Sequence, residues 1–290
     1  MEEVRYEAPD SIARAVALLG ESGARVLAGG TDLLVQMRTG RAAPRVFVDV
    51  KRIPEMARIE LGPAELWLGA ALPAAEIVEH PELGRVFPGL VEAVDLIGST
   101  QIQGRASVGG NLCNASPAAD TTPALCAVGA RCVIAGPRGQ RELPAESFTK
   151  GPGTNVLERG ELLVGFRIAR PPARASDAYL RFIPRTEMDI AVVGAGVAVV
   201  LDASGVCSAA RVALGAVAPT VILVPAAAQA LVGSRGDDAA LARAGEAASA
   251  AARPISDKRG TVEYRKRIAG VLVRRAAQAA FARARTGVSS

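Results

Sequence analysis

The chain has 290 residues, of which half are hydrophobic, 22% charged and only 3% aromatic. That composition fits a folded globular protein with a core of small aliphatic side chains. A single core stops growing efficiently at roughly 250–300 residues, so two domains or subdomains are expected. The formal net charge is +5. Its cations are scattered apart from Arg265-Lys266-Arg267 and Arg274-Arg275, and no aromatics interleave with them, which argues against a nucleic-acid footprint. The excess positive charge fits a polyanionic ligand and acidic partners instead.

In chain order, residues 10–20 predict an amphipathic helix. Asp10 or Ser11 can cap it, Ile12, Ala15, Val16 and Leu19 share one face, and Gly20 and Gly23 end it. A strand over 25–28 follows. Gly29-Gly30 then turn the chain into a helix over 33–38, with Thr31 or Asp32 as cap, and 45–50 is a further strand. The first 50 residues thus read as a compact βαβ-like unit. Residues 65–70 predict a strand, 72–79 a helix, and 90–98 a helix ending at a glycine. Residues 98–123 are rich in Gly, Asn and Ser and fit no regular element. An apolar pattern resumes over 125–135, Gly136-Pro137-Arg138-Gly139 predicts a hairpin turn, and 161–168 predicts a strand.

Pro171-Pro172 marks the expected boundary, giving domains over 1–172 and 173–290. Strands follow around 179–184 and 190–201, then a hairpin turn at Asp202-Ala203-Ser204-Gly205 and a strand over 206–214. Val212 to Ser234 carries no charge over 23 residues, long enough to cross a bilayer. Gly215, Pro219, Pro225, Gln229 and Gly233 interrupt it, so it reads as strand, turn, strand and a short helix over 226–231, with no membrane span. Helices over 237–252 and 264–285 close an α+β chain in two parts. The N-terminus is acidic and has no apolar stretch, which predicts no signal peptide.

Several candidate features carry little chemistry. Cys113, Cys126, Cys132 and Cys207 show no C-x-x-C spacing and read as buried, reduced thiols of a cytoplasmic protein. His80 is the only histidine and reads as a surface residue, so neither a histidine metal cluster nor an acid–base relay is expected. Ser116 lacks the G-x-S-x-G elbow of a hydrolase nucleophile. Gly194-Ala195-Gly196 imitates the start of a dinucleotide fingerprint, but Val199 stands where the third glycine belongs and the chain continues as strand.

Two segments stand out. The first is Val26-Leu27-Ala28-Gly29-Gly30-Thr31-Asp32-Leu33-Leu34: strand, glycine turn, helix start. The second runs from Ser107-Val108-Gly109-Gly110-Asn111 to Asp120-Thr121. Paired glycines let a backbone approach an anion with no Cβ in the way, and their N–H groups can point at phosphate. Ser107, Thr31, Asn111 and Asp120 add polar side chains. On the residues alone, two readings stand: a clamp for the two phosphates of a dinucleotide, or a pair of ordinary glycine turns.

These segments resemble the FAD-binding medium subunits of the molybdenum hydroxylases, the family of aerobic carbon monoxide dehydrogenase and xanthine dehydrogenase. AGGTDLL at 28–34 matches the first flavin loop and ASVGGNLCNASPAADTTPAL at 106–125 the second. YLRFIPRTEMDIAVVG at 179–194, RVALGAVAPT at 211–220 and SDKRGTVEYRKRIAGVLVRRA at 256–276 resemble the C-terminal signatures. The resemblance implies a two-subdomain FAD-binding domain of the vanillyl-alcohol-oxidase type, with subdomains over about 1–55 and 56–172, and a small C-terminal domain of antiparallel sheet plus helices. It implies that Ala28, Gly29, Gly30, Thr31 and Asp32 bind the pyrophosphate region, flanked by Val26, Leu27 and Leu33. Ser107, Gly109, Gly110 and Asn111 form the second phosphate loop, and Asp120 contacts the ribose or adenosine. Ile97 lies against the flavin, Leu162 lines the pocket, and Arg181 stands where relatives carry a cation near the flavin.

The resemblance further implies a small [2Fe-2S] subunit and a large molybdopterin subunit as partners in a dimer of heterotrimers, with electrons leaving to an external acceptor. Its setting would be the cytoplasm, or the inner face of the cell membrane through the complex. Two departures qualify it. The Cys-rich insertion of the benzoyl-CoA reductase type is missing, so its extra cluster is not expected. Thr31-Asp32 stands where carbon monoxide dehydrogenases tend to have a His-Ser pair. A stand-alone flavoenzyme with its own substrate, and a scaffold that has lost FAD, are the alternatives.

Overall fold

The computed structural model describes residues 4–185 and 189–287. Residues 186–188, inside the segment 179–194 read above, lie outside them, as do both extreme termini.

The chain opens with β1 (Arg5–Glu7), α1 (Ile12–Leu19), β2 (Ala24–Leu27), α2 (Leu33–Arg38) and β3 (Val46–Asp49). Their strands form a parallel sheet in the order β1-β3-β2. This is the expected βαβ unit with one added edge strand, β1, which is too short and exposed to leave an alternating pattern. Ser11 and Asp32 occupy the cap positions of α1 and α2, but neither side chain makes a capping bond.

The next stretch comprises β4 (Ile59–Leu61), β5 (Glu65–Gly69), α3 (Ala74–Val78), α4 (Leu83–Val86), α5 (Pro88–Asp95), α6 (Thr100–Gln103), α7 (Val108–Cys113) and α8 (Thr121–Ala127). It continues with β6 (Arg131–Gly136), β7 (Gly139–Pro144), β8 (Thr149–Gly151), β9 (Thr154–Asn155) and β10 (Leu162–Ala169). A five-stranded sheet runs β4-β5-β10-β6-β7, and β8 pairs with β9. The segment 98–123, read as irregular, instead carries α6, α7 and the start of α8. These helices are too short to show a 3.6-residue pattern and too short to be stable alone. Packing and one cap hold α7: Val108 and Leu112 are fully buried, and the Ser107 hydroxyl accepts the Gly110 N–H at 3.1 Å. The helix expected over 90–98 begins earlier, with Pro88 in its first turn, and stops before Gly98, whose φ is +61°.

The last stretch holds β11 (Ala175–Phe182), β12 (Val193–Leu201), β13 (Cys207–Gly215), β14 (Ile222–Leu223), α9 (Pro225–Leu231), α10 (Asp238–Ala251) and α11 (Val262–Thr286). Four antiparallel strands in sequence order form its sheet. Leu272, Val273, Ala276, Ala280 and Phe281 of α11 share one buried cluster with Val193, Val197 and Val199 of β12. Among the described residues no helix is long and apolar enough to cross a membrane. The Gly194-Ala195-Gly196 run lies within β12, near its start, as strand, and packing explains it: a methyl group on Gly196 would sit 2.5 Å from the Pro123 carbonyl of α8.

The two halves meet through buried polar groups. Asp177 of β11 is 4% exposed and accepts the Leu90 N–H at 2.9 Å, in the first turn of α5. Glu92 accepts the Tyr179 N–H at 2.9 Å and pairs with Arg283 of α11. Gly89 allows the approach, since a methyl group there would meet the Ala178 backbone at 2.6 Å. Burial pushes the Asp177 carboxyl up to about 7, against the opposing bonds from Gly89 and Leu90. The folded chain therefore holds this proton more tightly than the unfolded one, and the resulting stability is full at acid pH and lost as pH rises. We predict that the unfolding free energy of the wild type, read from denaturation curves, declines as pH rises from about 4 to about 7, by up to a few kcal/mol from this group. Asp177→Asn should flatten that decline; an unchanged pH profile would contradict the assignment.

Candidate functional site

The two glycine segments come together at a cleft of about 900 Å³, within the size range of small-molecule and cofactor sites. The β2–α2 turn forms one wall, with Val26, Ala28, Gly29, Gly30, Thr31, Asp32 and Leu33. Ser107, Gly109, Gly110 and Asn111 of the α7 segment form a second. Ile97, Gly98 and Ile102 close one side, and residues 157–163, including Leu162, another. Three expected residues do not line it: Leu27, Asp120 and Arg181.

The glycines of each pair divide the work. A methyl group on Gly29 would lie 1.8 Å from the Arg105 carbonyl oxygen, so the first turn rests directly on the backbone leading into the second. One on Gly109 would lie 2.4 Å from the Ala70 carbonyl oxygen, which the Gly109 N–H also meets at 3.2 Å. In both pairs the first glycine lets protein pack on protein. The second serves the cleft. Gly30 has φ +78°, a conformation open to glycine at little cost, and its nearest side-chain neighbours are the flexible ends of Leu34 and Leu27. Around Gly110 a methyl group would meet only Ser107 Oγ, at 3.1 Å.

Past Gly29 the backbone carries unused donors. Among the described residues, no protein acceptor meets the N–H groups of Gly30, Thr31 and Asp32. Successive donors of this kind suit an anion. Thr121 Oγ1 donates to Asn111 Oδ1 at 2.6 Å, which leaves the Asn111 amide NH₂ available. Gln36 and Asn114, overlooked at the sequence level, tie the walls together: Gln36 Nε2 donates to Asn114 Oδ1, and Asn114 Nδ2 donates to Asp32 Oδ1, both at 3.2 Å. Burial raises the Asp32 carboxyl above the usual range. Asn114 lies in the second glycine segment and Gln36 on α2, and no spacing in the sequence joins the two.

Asp120 and Arg181 form a pair of their own. Asp120 accepts from Arg181 Nη1 at 2.8 Å and from the Tyr179 hydroxyl at 3.0 Å. Burial pushes the Asp120 carboxyl up to about 6, opposed by Arg181 and Tyr179. Arg181 Nη1 also donates to the Leu96 carbonyl at 3.0 Å, next to the cleft-lining Ile97. The pair thus ties β11 to the cleft's side wall. Elsewhere, Cys126, Cys132 and Cys207 are buried and Cys113 is half-buried on the cleft. His80 Nδ1 accepts the Glu82 N–H at 3.3 Å in a turn.

The division between glycines is testable by denaturation. Gly29→Ala should cost at least about 3 kcal/mol, because a rigid carbonyl occupies the space of the new methyl. Gly110→Ala should stay within about 1 kcal/mol of the wild type, since alanine favours a helix. Equal effects would contradict the assignment.

Comparison with known proteins agrees along the whole chain. The family model described as the FAD binding domain in molybdopterin dehydrogenase matches residues 2–171, and that of the CO dehydrogenase flavoprotein C-terminal domain matches residues 178–280. The carbon monoxide dehydrogenase medium chain of Hydrogenophaga pseudoflava is 36% identical over 281 residues, covering 96% of this chain and 97% of the relative. A putative xanthine dehydrogenase FAD-binding subunit of Escherichia coli is 34% identical over 220 residues, 75% of either chain. Among solved structures, a chain of Cu,Mo-CO dehydrogenase superposes with a TM-score of 0.91 at 35% identity, covering 97% of this chain and 98% of the other. Quinoline 2-oxidoreductase from Pseudomonas putida 86 gives 0.89 at 28% identity, with the same coverage. The chain belongs to the FAD-binding medium subunits of the molybdenum hydroxylases, a family of oxidoreductases.

Proposed function

We propose that this chain is the electron-transfer subunit of a cytoplasmic molybdenum hydroxylase complex. In this reading it takes electrons from the [2Fe-2S] clusters of a small partner and delivers them to an external acceptor, while the organic substrate reacts on a large molybdopterin subunit. The assembly is a dimer of such heterotrimers. Residues 1–172 form the FAD-binding domain, with subdomains over about 1–55 and 56–172, and 173–290 the C-terminal domain. The observation that carries the reading is the meeting of two glycine loops at one cleft, with three unpaired N–H groups on one of them.

The residues present fit FAD. The Gly30, Thr31 and Asp32 N–H groups and the open face of Gly110 suit a diphosphate, where each charge-assisted bond is worth roughly 1.5–3 kcal/mol. The side chains of Ser107, Thr31 and Asn111 suit phosphate and polyol hydroxyls. Ile97, Ile102, Leu162 and Leu163 give an apolar wall for a flat ring system. Asp120, toward the ribose or adenosine, and Arg181, as a cation near the flavin, belong to the same proposal, both set back from the residues that line the cleft. When bound, FAD supplies a store for two electrons that can be filled singly; the protein supplies position and electrostatics. Of the acidic side chains that line the cleft, Glu161 pairs with Arg141, Glu158 with Arg138 and Glu21 with Arg5, and Asp32 accepts from Asn114. This suits an electron conduit better than a centre with its own acid–base chemistry.

Reduction of the FAD-loaded chain tests the proposal. Under anaerobic conditions, xanthine, nicotinate or carbon monoxide should leave the flavin band at about 450 nm intact, whereas a reduced [2Fe-2S] protein should bleach it. Bleaching by an organic substrate alone would favour a stand-alone flavoenzyme. Gly30→Val and Gly110→Val should each weaken FAD binding at least about tenfold, by placing a side chain against the phosphates.

A further inference from the structure

Beneath the first glycine turn lies a polar cluster that no motif marks. Asp49, the last residue of β3, is 6% exposed. Its carboxylate accepts from the Tyr6 hydroxyl at 2.5 Å, from the Lys51 backbone N–H at 3.1 Å and from Lys51 Nζ at 2.7 Å. Burial works against its charge, but the bonds from Lys51 and Tyr6 outweigh burial and hold the carboxyl below the usual range. Asp49 is therefore a fixed anion, and it fixes the ammonium of Lys51. That ammonium donates a second bond, to the Ala28 carbonyl at 3.0 Å.

The consequence follows from peptide geometry. No peptide bond among the described residues is cis, and in a planar trans peptide the C=O and N–H point to opposite sides. Holding the Ala28 carbonyl toward Lys51 sets the Gly29 N–H on the other side and fixes where the chain enters the Gly29-Gly30 turn. The turn's other restraints are the contact of Gly29 with the Arg105 carbonyl and the bond from Asn114 to Asp32. Gly30 is conformationally free, and α2 has no buried residue to anchor it. Lys51 is paired with Asp49, so its contribution is orientation more than net charge.

We propose that Lys51, anchored by Asp49, is a positioning residue for a diphosphate: it presets the turn from Ala28 to Asp32 so that the unpaired N–H groups stand ready before the ligand arrives. A preorganised donor set binds more tightly because less freedom is lost on binding. The inference rests on the reading that the cleft takes FAD with its diphosphate at this turn.

The test compares two ligands on one protein. Apo chain is titrated with FAD and with riboflavin, which lacks phosphate, following flavin fluorescence. Lys51→Met should lower FAD affinity about tenfold, the scale of one charge-assisted hydrogen bond, and change riboflavin affinity less than about twofold. Lys51→Arg, which can still donate to both acceptors, should return FAD affinity to within about threefold of wild type. Lys51→Met leaves a nearly buried carboxylate without its partner, so the double variant Asp49→Asn/Lys51→Met, which removes both charges, is measured alongside with the same expectation. Wild-type FAD affinity in Lys51→Met or in the double variant, or a parallel loss of FAD and riboflavin in either, overturns the inference alone. A wild-type chain that binds neither ligand overturns the cofactor reading and this inference with it.

Discussion

Gly29 lies against the carbonyl of Arg105 with no room for a single methyl group. Everything at the cleft depends on that backbone contact. It joins the β2–α2 turn to the chain entering α7, two segments more than 70 positions apart in sequence, and so makes two loops into two walls. Only glycine permits such an approach. Gly109 repeats the device one step further in, where α7 rests on Ala70. Once these two glycines have closed the scaffold, Gly30 and Gly110 are free to face a ligand. The cross-wall chain from Gln36 through Asn114 to Asp32 then holds the rim at its open edge.

The C-terminal half is coupled to this scaffold by charge rather than by shape alone. Arg181 reaches from β11 to Asp120 and to the Leu96 carbonyl, and Asp177 and Glu92 bind across the same junction. Buried ionic groups are costly unless each is matched. Breaking the Arg181–Asp120 pair would strand a charge in the interior, so the junction resists rearrangement there. The side wall at Ile97 thereby depends on a strand of the other half. In the proposed role such rigidity is an advantage, since a loose wall would let a bound ring system drift.

Much of this was legible in the sequence, for identifiable reasons. Strand, Gly-Gly and helix succeed one another within nine residues at 26–34, so local rules suffice to place that wall. The long helices α10 and α11 declare themselves by composition and length, and the failed fingerprint at Gly194-Ala195-Gly196 was recognisable as strand. The segment 98–123 was not legible as helix, because α6 and α7 have no periodicity to read and owe their existence to burial of Val108 and Leu112 and to the Ser107 cap. Gln36, Asn114 and Lys51 escaped notice because their roles arise only in space: Gln36 and Asn114 are 78 positions apart, and Lys51 meets Ala28 across two parallel strands. Arg181 stood out by resemblance and Asp120 already by its place in the second glycine segment, whereas their pairing with each other belongs to the fold. The distinct tasks of the two glycines in each pair were likewise invisible, since adjacent glycines look alike until their neighbours are known.

The central claim is that the cleft between the two glycine loops is a non-covalent FAD site. Its most direct test is the flavin content of the purified, folded chain, measured by absorbance and by chromatography of the flavin released on acid precipitation. The account predicts about one FAD per chain after incubation with the cofactor, all of it released intact by acid. A folded chain that stays colourless in excess FAD would contradict it and leave the two loops as turns that only pack the scaffold.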